Sequence, residues 1–223
     1  MPLHLRSWVC EPRFVATSTD AEYTQRMRRI LALALCALVI NLPMSAQAAT
    51  CTPTSASTEG PYYVASKVRK NIIDKQPGTR TNLTISVVDA NCKPIPDARV
   101  DIWHANAAGK YSAVDGNTQN FLRGSQVTNA QGQATFVTIF PGWYPGRVMH
   151  IHVKVLKDGG ELLTAQLYAR DAQVAKIYAK GAYKSRGDQD TTLTTDRILR
   201  GTPNLMTLKI GSTIQASARL VIG

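Results

Sequence analysis

Acidic residues are scarce in this chain, with 15 Asp and Glu against 26 Lys and Arg in 223 residues and a formal net charge of +11. No Lys/Arg block and no basic helix accompanies that excess. The positive charges are scattered, which argues against a nucleic-acid or anionic-membrane partner and reads as solvated surface. Internal repeats, low-complexity tracts and a strong helical periodicity are also lacking, so solenoid and bundle architectures are set aside. The long apolar run Ile30 to Leu42 is too short to span a bilayer. Cysteine is limited to four residues, which leaves little room for a disulfide-dense scaffold.

The apolar run has its own context. Met27-Arg28-Arg29 precedes it and Ala46-Gln47-Ala48 follows it, the pattern of a signal peptide over 27–48 with cleavage after Ala48. Residues 1–26 then precede the signal awkwardly and are assigned to a misplaced start codon, with no function. The expected mature domain is 49–223, exported to the periplasm or secreted, with no membrane attachment after cleavage. Loss of five Lys/Arg and three acids with residues 1–48 lowers the net charge from +11 to +9. Cys10 and Cys36 also leave, and the remaining Cys51 and Cys92, in an oxidising compartment, are expected to form one disulfide.

Beyond residue 80 the chain reads as short strands between Gly/Pro turns. Runs rich in β-branched and apolar residues occur at 83–89, 98–103, 134–140, 149–156, 162–169, 206–210 and 213–222. Seven such runs predict an all-β antiparallel sandwich. One short helix is predicted over Asp171–Lys180, with Asp171 as its N-cap, and Ser185–Asp196 reads as a polar loop long enough to be mobile.

Chemistry-bearing residues concentrate between 103 and 168. In the run 149–156, His150, His152 and Lys154 fall on one face of a strand and Ile151, Val153 and Val155 on the other. Two imidazoles on one face are able to chelate a metal, but His-x-His alone is equally compatible with two unliganded surface histidines. Just upstream, Pro141-Gly142-Trp143-Tyr144-Pro145-Gly146-Arg147 must turn sharply, which brings Tyr144 back toward the imidazoles.

Five segments taken together resemble the intradiol ring-cleaving dioxygenases. They are Thr58-Glu59-Gly60-Pro61-Tyr62-Tyr63, Trp103 to Tyr111 (WHANAAGKY), Phe140 to Pro145 (FPGWYP), Arg147 to His152 (RVMHIH) and Gln166-Leu167-Tyr168. The resemblance implies a non-haem Fe(III) cofactor held by Tyr111, Tyr144, His150 and His152. It implies Tyr144 as the ligand that leaves when substrate binds, His152 opposite it, and Tyr111 and His150 in the plane with a hydroxide. Phenolate is a hard anionic donor suited to a ferric ion, and two phenolates with a hydroxide balance its charge. The implied reaction is cleavage of a catechol-type diol by O2 to a cis,cis-muconate-type diacid, with both oxygen atoms incorporated. Arg147 and Gln166 occupy the family's positions for stabilising charge on the substrate ring.

Tyr62 and Trp143 are candidate walls of the aromatic pocket, with core packing as the alternative for each. Trp103 and His104 are adjacent in a strand, so at most one of them faces the site; His104 is left out of the metal shell. Intracellular relatives that act on catechol carry a helical, dimerising region ahead of the Thr58 segment, whereas about ten mature residues precede it here. That difference, and the short connection from Tyr144 to His150, resemble exported family members. They leave the catechol substituents and the oligomeric state open. Two rival classes remain: a non-catalytic sandwich domain that binds a metal or an aromatic ligand, and a zinc site on His150 and His152, which the tyrosines disfavour.

Overall fold

A computed structural model describes residues 50–114, 116 and 118–223; the expected signal peptide and the segment before it lie outside the described residues. Among the described residues nine strands form two sheets: β1 (Arg80–Asp89), β2 (Arg99–Trp103), β3 (Arg123–Val127), β4 (Gln133–Ile139), β5 (His150–Lys157), β6 (Gly160–Tyr168), β7 (Asn204–Leu205), β8 (Thr207–Lys209) and β9 (Ile214–Ile222). One sheet has the order β4-β1-β9-β8 and the other β3-β2-β5-β6-β7. The expected sandwich is present, with two parallel pairs inside it, β1 with β9 and β6 with β7.

All seven expected strands are found. The two that were not expected have clear reasons. Arg123–Val127 (RGSQV) lacks an apolar row because both its faces carry other duties, and Asn204–Leu205 is too short to show a period. The helix α1 spans Asp171–Tyr178 and buries Val174, Ile177 and Tyr178. Its N-cap is Arg170, without a side-chain cap bond, rather than Asp171. The Asp171 carboxylate instead accepts hydrogen bonds from Gln189 Nε2 (2.9 Å) and the Leu193 backbone N–H.

Alternation along each strand fills the space between the sheets. Leu83, Ile85 and Val87 of β1, Ala134 and Phe136 of β4, and Ile214, Ala216 and Leu220 of β9 face Val100, Ile102, Ile151, Val153, Val155, Leu163, Ala165 and Leu167 of the second sheet. Their partners on the second sheet's outer face are polar yet also buried. Register places Trp103 beside His152 and His152 beside Gln166, and His150 beside Tyr168. This outer face is where the candidate chemistry sits.

An N-terminal arm runs across it. Thr54 N–H donates to Val221 O (3.0 Å), Ser57 N–H to Thr164 O (2.9 Å), and the Cys51–Cys92 disulfide joins the arm to the turn after β1 across 41 residues of sequence. Among the described residues, no helix is long and apolar enough to cross a membrane. Closing a loop of that size restricts the unfolded chain by up to about 4 kcal/mol. Replacing both cysteines by serine is therefore expected to lower unfolding stability by a few kcal/mol in urea titrations, and reducing agent should then have no further effect.

Candidate active site

Two loops and one strand build the site. His150 and His152 project from β5 on the face away from the core, both buried. Tyr144 and Arg147 are the ends of a turn whose centre is Pro145-Gly146. Arg147 N–H donates to Tyr144 O (3.2 Å), and Gly146 takes φ +78°, as glycine after proline does in a type II turn. Tyr111 follows a second turn, in which Asn106 Oδ1 accepts from the Ala108 and Lys110 N–H groups, each at 3.0 Å. The two loops meet backbone to backbone. A Cβ on Gly109 would lie 2.2 Å from Trp143 O, and one on Gly142 would lie 2.3 Å from Ala107 O. Glycine at both positions is the condition for Tyr111 and Tyr144 to reach the same point.

That point is His150 Nε2. Tyr144 Oη lies 3.2 Å from it, Tyr111 Oη 3.4 Å and His152 Nε2 3.2 Å. His150 Nδ1 lies 2.7 Å from Val148 O and donates to it, which leaves Nε2 as a lone pair facing the other three donors. One lone pair cannot satisfy three neighbours by hydrogen bonding. Donors about 3 Å apart are what adjacent ligands at about 2.1 Å from one cation require, so the set fits a bound metal. Among the described residues no group of three or more His, Cys, Asp or Glu is placed to hold a metal; the oxygen donors beside the two imidazoles are the phenols of Tyr111 and Tyr144. Hard phenolate oxygens with two imidazoles suit a hard, highly charged ion.

Burial governs the protonation states. It pushes His150 down to about 3, helped by the nearby Arg147 charge, and holds His152 well below the usual histidine range, helped by His150. The same burial raises Tyr111 well above its ordinary value and raises Tyr144, whose shift Arg147 opposes. Without a cation the four donors are thus neutral, and a cation is what would draw the protons off the phenols.

Arg147 is held from two sides. Its Nε donates to Asp196 Oδ2 (3.0 Å), its Nη2 to Gln166 Oε1 (2.6 Å), and its Nη1 lies 3.5 Å from Tyr144 Oη. Gln166 Oε1 also accepts from Tyr168 Oη (2.8 Å), and its Nε2 donates to Thr58 O (3.1 Å). Asp196 is buried. Burial alone would raise its carboxyl, but the Val148 and Ile198 N–H groups and Arg147 outweigh this and hold it below the usual carboxylate range.

Asp196 was missed in the sequence because it ends a polar run with no periodicity to mark it. Its position ties the far end of Ser185–Asp196 to the site. Ser185 and Arg186 belong to a 3-10 helix (Gly181–Arg186), Met149 N–H donates to Gln189 Oε1 (3.0 Å), and Asp196 is anchored under Arg147.

Of the two candidate wall residues, Tyr62 is brought to the cluster, with its ring 4.7 Å from that of Tyr111. Trp143 is not: its Nε1 donates to Gly187 O (3.3 Å), and Arg186 stacks 4.7 Å from its ring. Trp103 lies flat against His152, with centroids 4.7 Å apart and planes 8° apart. His104 points elsewhere, Nε2 to Thr138 Oγ1 (2.7 Å) and Nδ1 to Ala105 O (2.9 Å), as strand alternation requires.

The fold is a two-sheet sandwich that gathers two phenols and two imidazoles beside a buried Arg–Asp pair, a donor set that fits a metal ion. The family model described as "Dioxygenase" matches residues 58–191, more than half of the chain, and the chain belongs to the intradiol ring-cleavage dioxygenase family. An intradiol ring-cleavage dioxygenase from Tetranychus urticae superposes with a TM-score of 0.74 at 30% identity, covering 78% of this chain and 95% of that one. The dioxygenase domain of a carbohydrate-binding fusion protein from Streptomyces sp. SirexAA-E gives 0.59 at 30% identity, covering 77% of this chain and 98% of that one. Catechol 1,2-dioxygenase of Acinetobacter baylyi is 34% identical over 141 residues, which are 51% of this chain and 45% of the relative. The protocatechuate 3,4-dioxygenase beta chain of Burkholderia cepacia is 36% identical over 113 residues, 44% of this chain and 48% of the relative. The chain thus spans about half the length of these two curated relatives.

His104 generates a prediction separate from the metal. Burial lowers it from 6.5 to about 4, against the pull of the Ala105 carbonyl. As pH falls through 6.5 the unfolded chain takes up a proton that the folded chain refuses until about 4, so stability declines across that window. At about 1.4 kcal/mol per unit the full effect is roughly 3 kcal/mol. His104→Gln is expected to show a shallower loss of stability between pH 6.5 and 4 than the parent in urea titrations at stepped pH.

Proposed function

We propose that this chain is a non-haem Fe(III) intradiol dioxygenase that opens catechol-type aromatic diols with O2 between the two hydroxylated carbons, giving cis,cis-muconate-type diacids. The observation that carries the reading is the convergence of Tyr111, Tyr144 and His152 on His150 Nε2 within 3.2–3.4 Å. Ferric iron bound there would hold the two phenols as phenolates and bring the diol into electronic contact with O2. Both oxygen atoms end in the new carboxyl groups and the diol supplies the electrons, so no external reductant is required.

The chain's own residues do the rest. Tyr144 is less buried than Tyr111 and stands on a turn, so of the two phenolates such an ion would create, it is the one placed to move away and take one diol proton at Oη, becoming a neutral phenol. Arg147 lies against that oxygen and is fixed by Asp196 and Gln166, so its guanidinium faces charge that develops on the ring without having to reorganise. The strap Thr58–Tyr63 lays Tyr62 beside Tyr111 and is fastened by the Glu59–Lys154 ion pair and by Tyr63 Oη donating to Asp101 Oδ2 (2.9 Å); it supplies a wall that excludes water. The substrates named for the relatives, catechol, chlorocatechol and protocatechuate, support catechol or a ring-substituted catechol here. The Cys51–Cys92 bridge and the signal pattern at 27–48 support action of a mature 49–223 domain outside the cytoplasm.

An oxygen electrode decides between catalysis and mere binding. Iron-loaded protein should be burgundy, since ferric phenolates absorb visible light by charge transfer. It should also consume O2 with at least one of catechol, protocatechuate, hydroxyquinol or a chlorocatechol, releasing a ring-opened diacid. A colourless protein that stays inert with added Fe(III) would sink the reading, and Tyr111→Phe retaining full colour and activity would overturn the ligand set. Asp196→Asn should keep the colour but lower kcat/KM by roughly 10- to 100-fold, the usual effect of loosening a partner one layer out.

A further inference from the structure

Arg123 is fully buried, yet it has no ion pair with any described carboxylate. Every hydrogen bond it makes to the described residues is to a neutral oxygen. Nε donates to Ser112 Oγ (3.0 Å) and Ser112 O (3.2 Å), Nη2 to Ser112 O (2.6 Å), and Nη1 to the Tyr62 carbonyl. A buried guanidinium surrounded by neutral acceptors is costly unless an anion lies close. The aromatic ring 6.0 Å from its Cζ is that of Tyr111. The Ser112 bonds fix the residue immediately after that tyrosine, and the Tyr62 bond fixes the residue whose ring packs 4.7 Å from the Tyr111 ring. Ser112 Oγ passes the restraint on by donating to Phe121 O (2.6 Å).

We infer that Arg123 is the positioning residue of Tyr111. It supplies the fixed positive charge that balances the Tyr111 phenolate and ties that ligand to the Tyr62 wall of the substrate pocket. The inference rests on the Fe(III) reading above and extends it, because neither the expected ligand set nor Arg147 and Gln166 accounts for a second buried cation on the other side of the cluster. A positive charge nearer the phenolate than the metal lowers the donor orbital and widens the charge-transfer gap; removing it should move the visible band to longer wavelength. Losing a partner of a metal ligand should also weaken Fe(III) binding by about 10- to 100-fold.

The test compares iron-loaded wild type, Arg123→Met and Arg123→Lys by visible spectrum, Fe(III) titration and oxygen-electrode kinetics, with far-UV circular dichroism of the metal-free proteins as a check on folding. Wild type must first be coloured and active; if it is neither, the Fe(III) reading itself fails. With a coloured wild type, Arg123→Met should show a band at longer wavelength and at least tenfold weaker Fe(III) binding. Arg123→Lys keeps the charge but not the fork, so its band should stay in place while KM for catechol rises several-fold at little change in kcat, through loosening of Tyr62. An unshifted band and undiminished Fe(III) affinity in a folded Arg123→Met overturn the inference. Should that variant not fold, Arg123→Lys decides alone: a fixed band with raised KM supports the inference, and a displaced band or unchanged KM overturns it.

Discussion

Strand β5 is buried on both faces, and much else in the domain follows from that. Ile151, Val153 and Val155 fill the space between the sheets, while His150, His152 and Lys154 are covered from outside by the strap and the loops. A strand on the surface of a sandwich ordinarily leaves its polar row in water. Here the row is dry, so each polar group needs a partner that some other segment must bring. Tyr111 and Tyr144 come to the imidazoles, and Glu59 and Glu161 come to Lys154. The loops are long and glycine-bearing because they must travel to this face, and the arm is bridged at Cys51 because it must stay there.

Charge is arranged around the same row. Arg147 is matched by Asp196, an acid that backbone N–H groups hold ionised, so this cation is stable whether or not a metal is present. Arg123 has no such acid among the described residues. Two cations flank the donor cluster, one neutralised in advance and one left to be neutralised by a ligand, and burial of the phenols and imidazoles keeps all four donors uncharged until a cation arrives. Under the proposed ferric reading, a strongly polarising ion is the kind that would repay the loss of two buried phenolic protons.

The parts of this that were legible in the sequence were those with a period or a fixed spacing. Alternation revealed the strands and put His150 with His152 and His104 elsewhere; Pro145-Gly146 revealed the turn that returns Tyr144. What stayed hidden depended on contacts between distant segments. Asp196 lies 49 residues beyond Arg147 in a run of Thr and Asp that looks like any solvated loop. Trp143 shares a motif with Tyr144, yet neighbouring side chains leave a turn in different directions, and Arg186 with Gly187 offers its indole a cation and a carbonyl that the site does not. Strand β3 was hidden for a related reason: the register partners of the core residues Ile102 and Val100 are Gly124 and Gln126, and its other face carries the buried polar residues Arg123 and Ser125.

That last case links fold and site. Arg123 and Trp103 are register partners at the ends of β3 and β2, so the edge of the second sheet terminates in a cation beside the indole that stacks on His152. An apolar residue at 123 would have made β3 easier to see and would suit a plain buried outer face. It would also have left the carbonyls of Ser112 and Tyr62 without their shared donor and Tyr111 without a positive neighbour on that side. At β3, local pattern and global packing disagree at a residue that lies beside the donor cluster, as expected when a site rather than the core sets the choice of side chain.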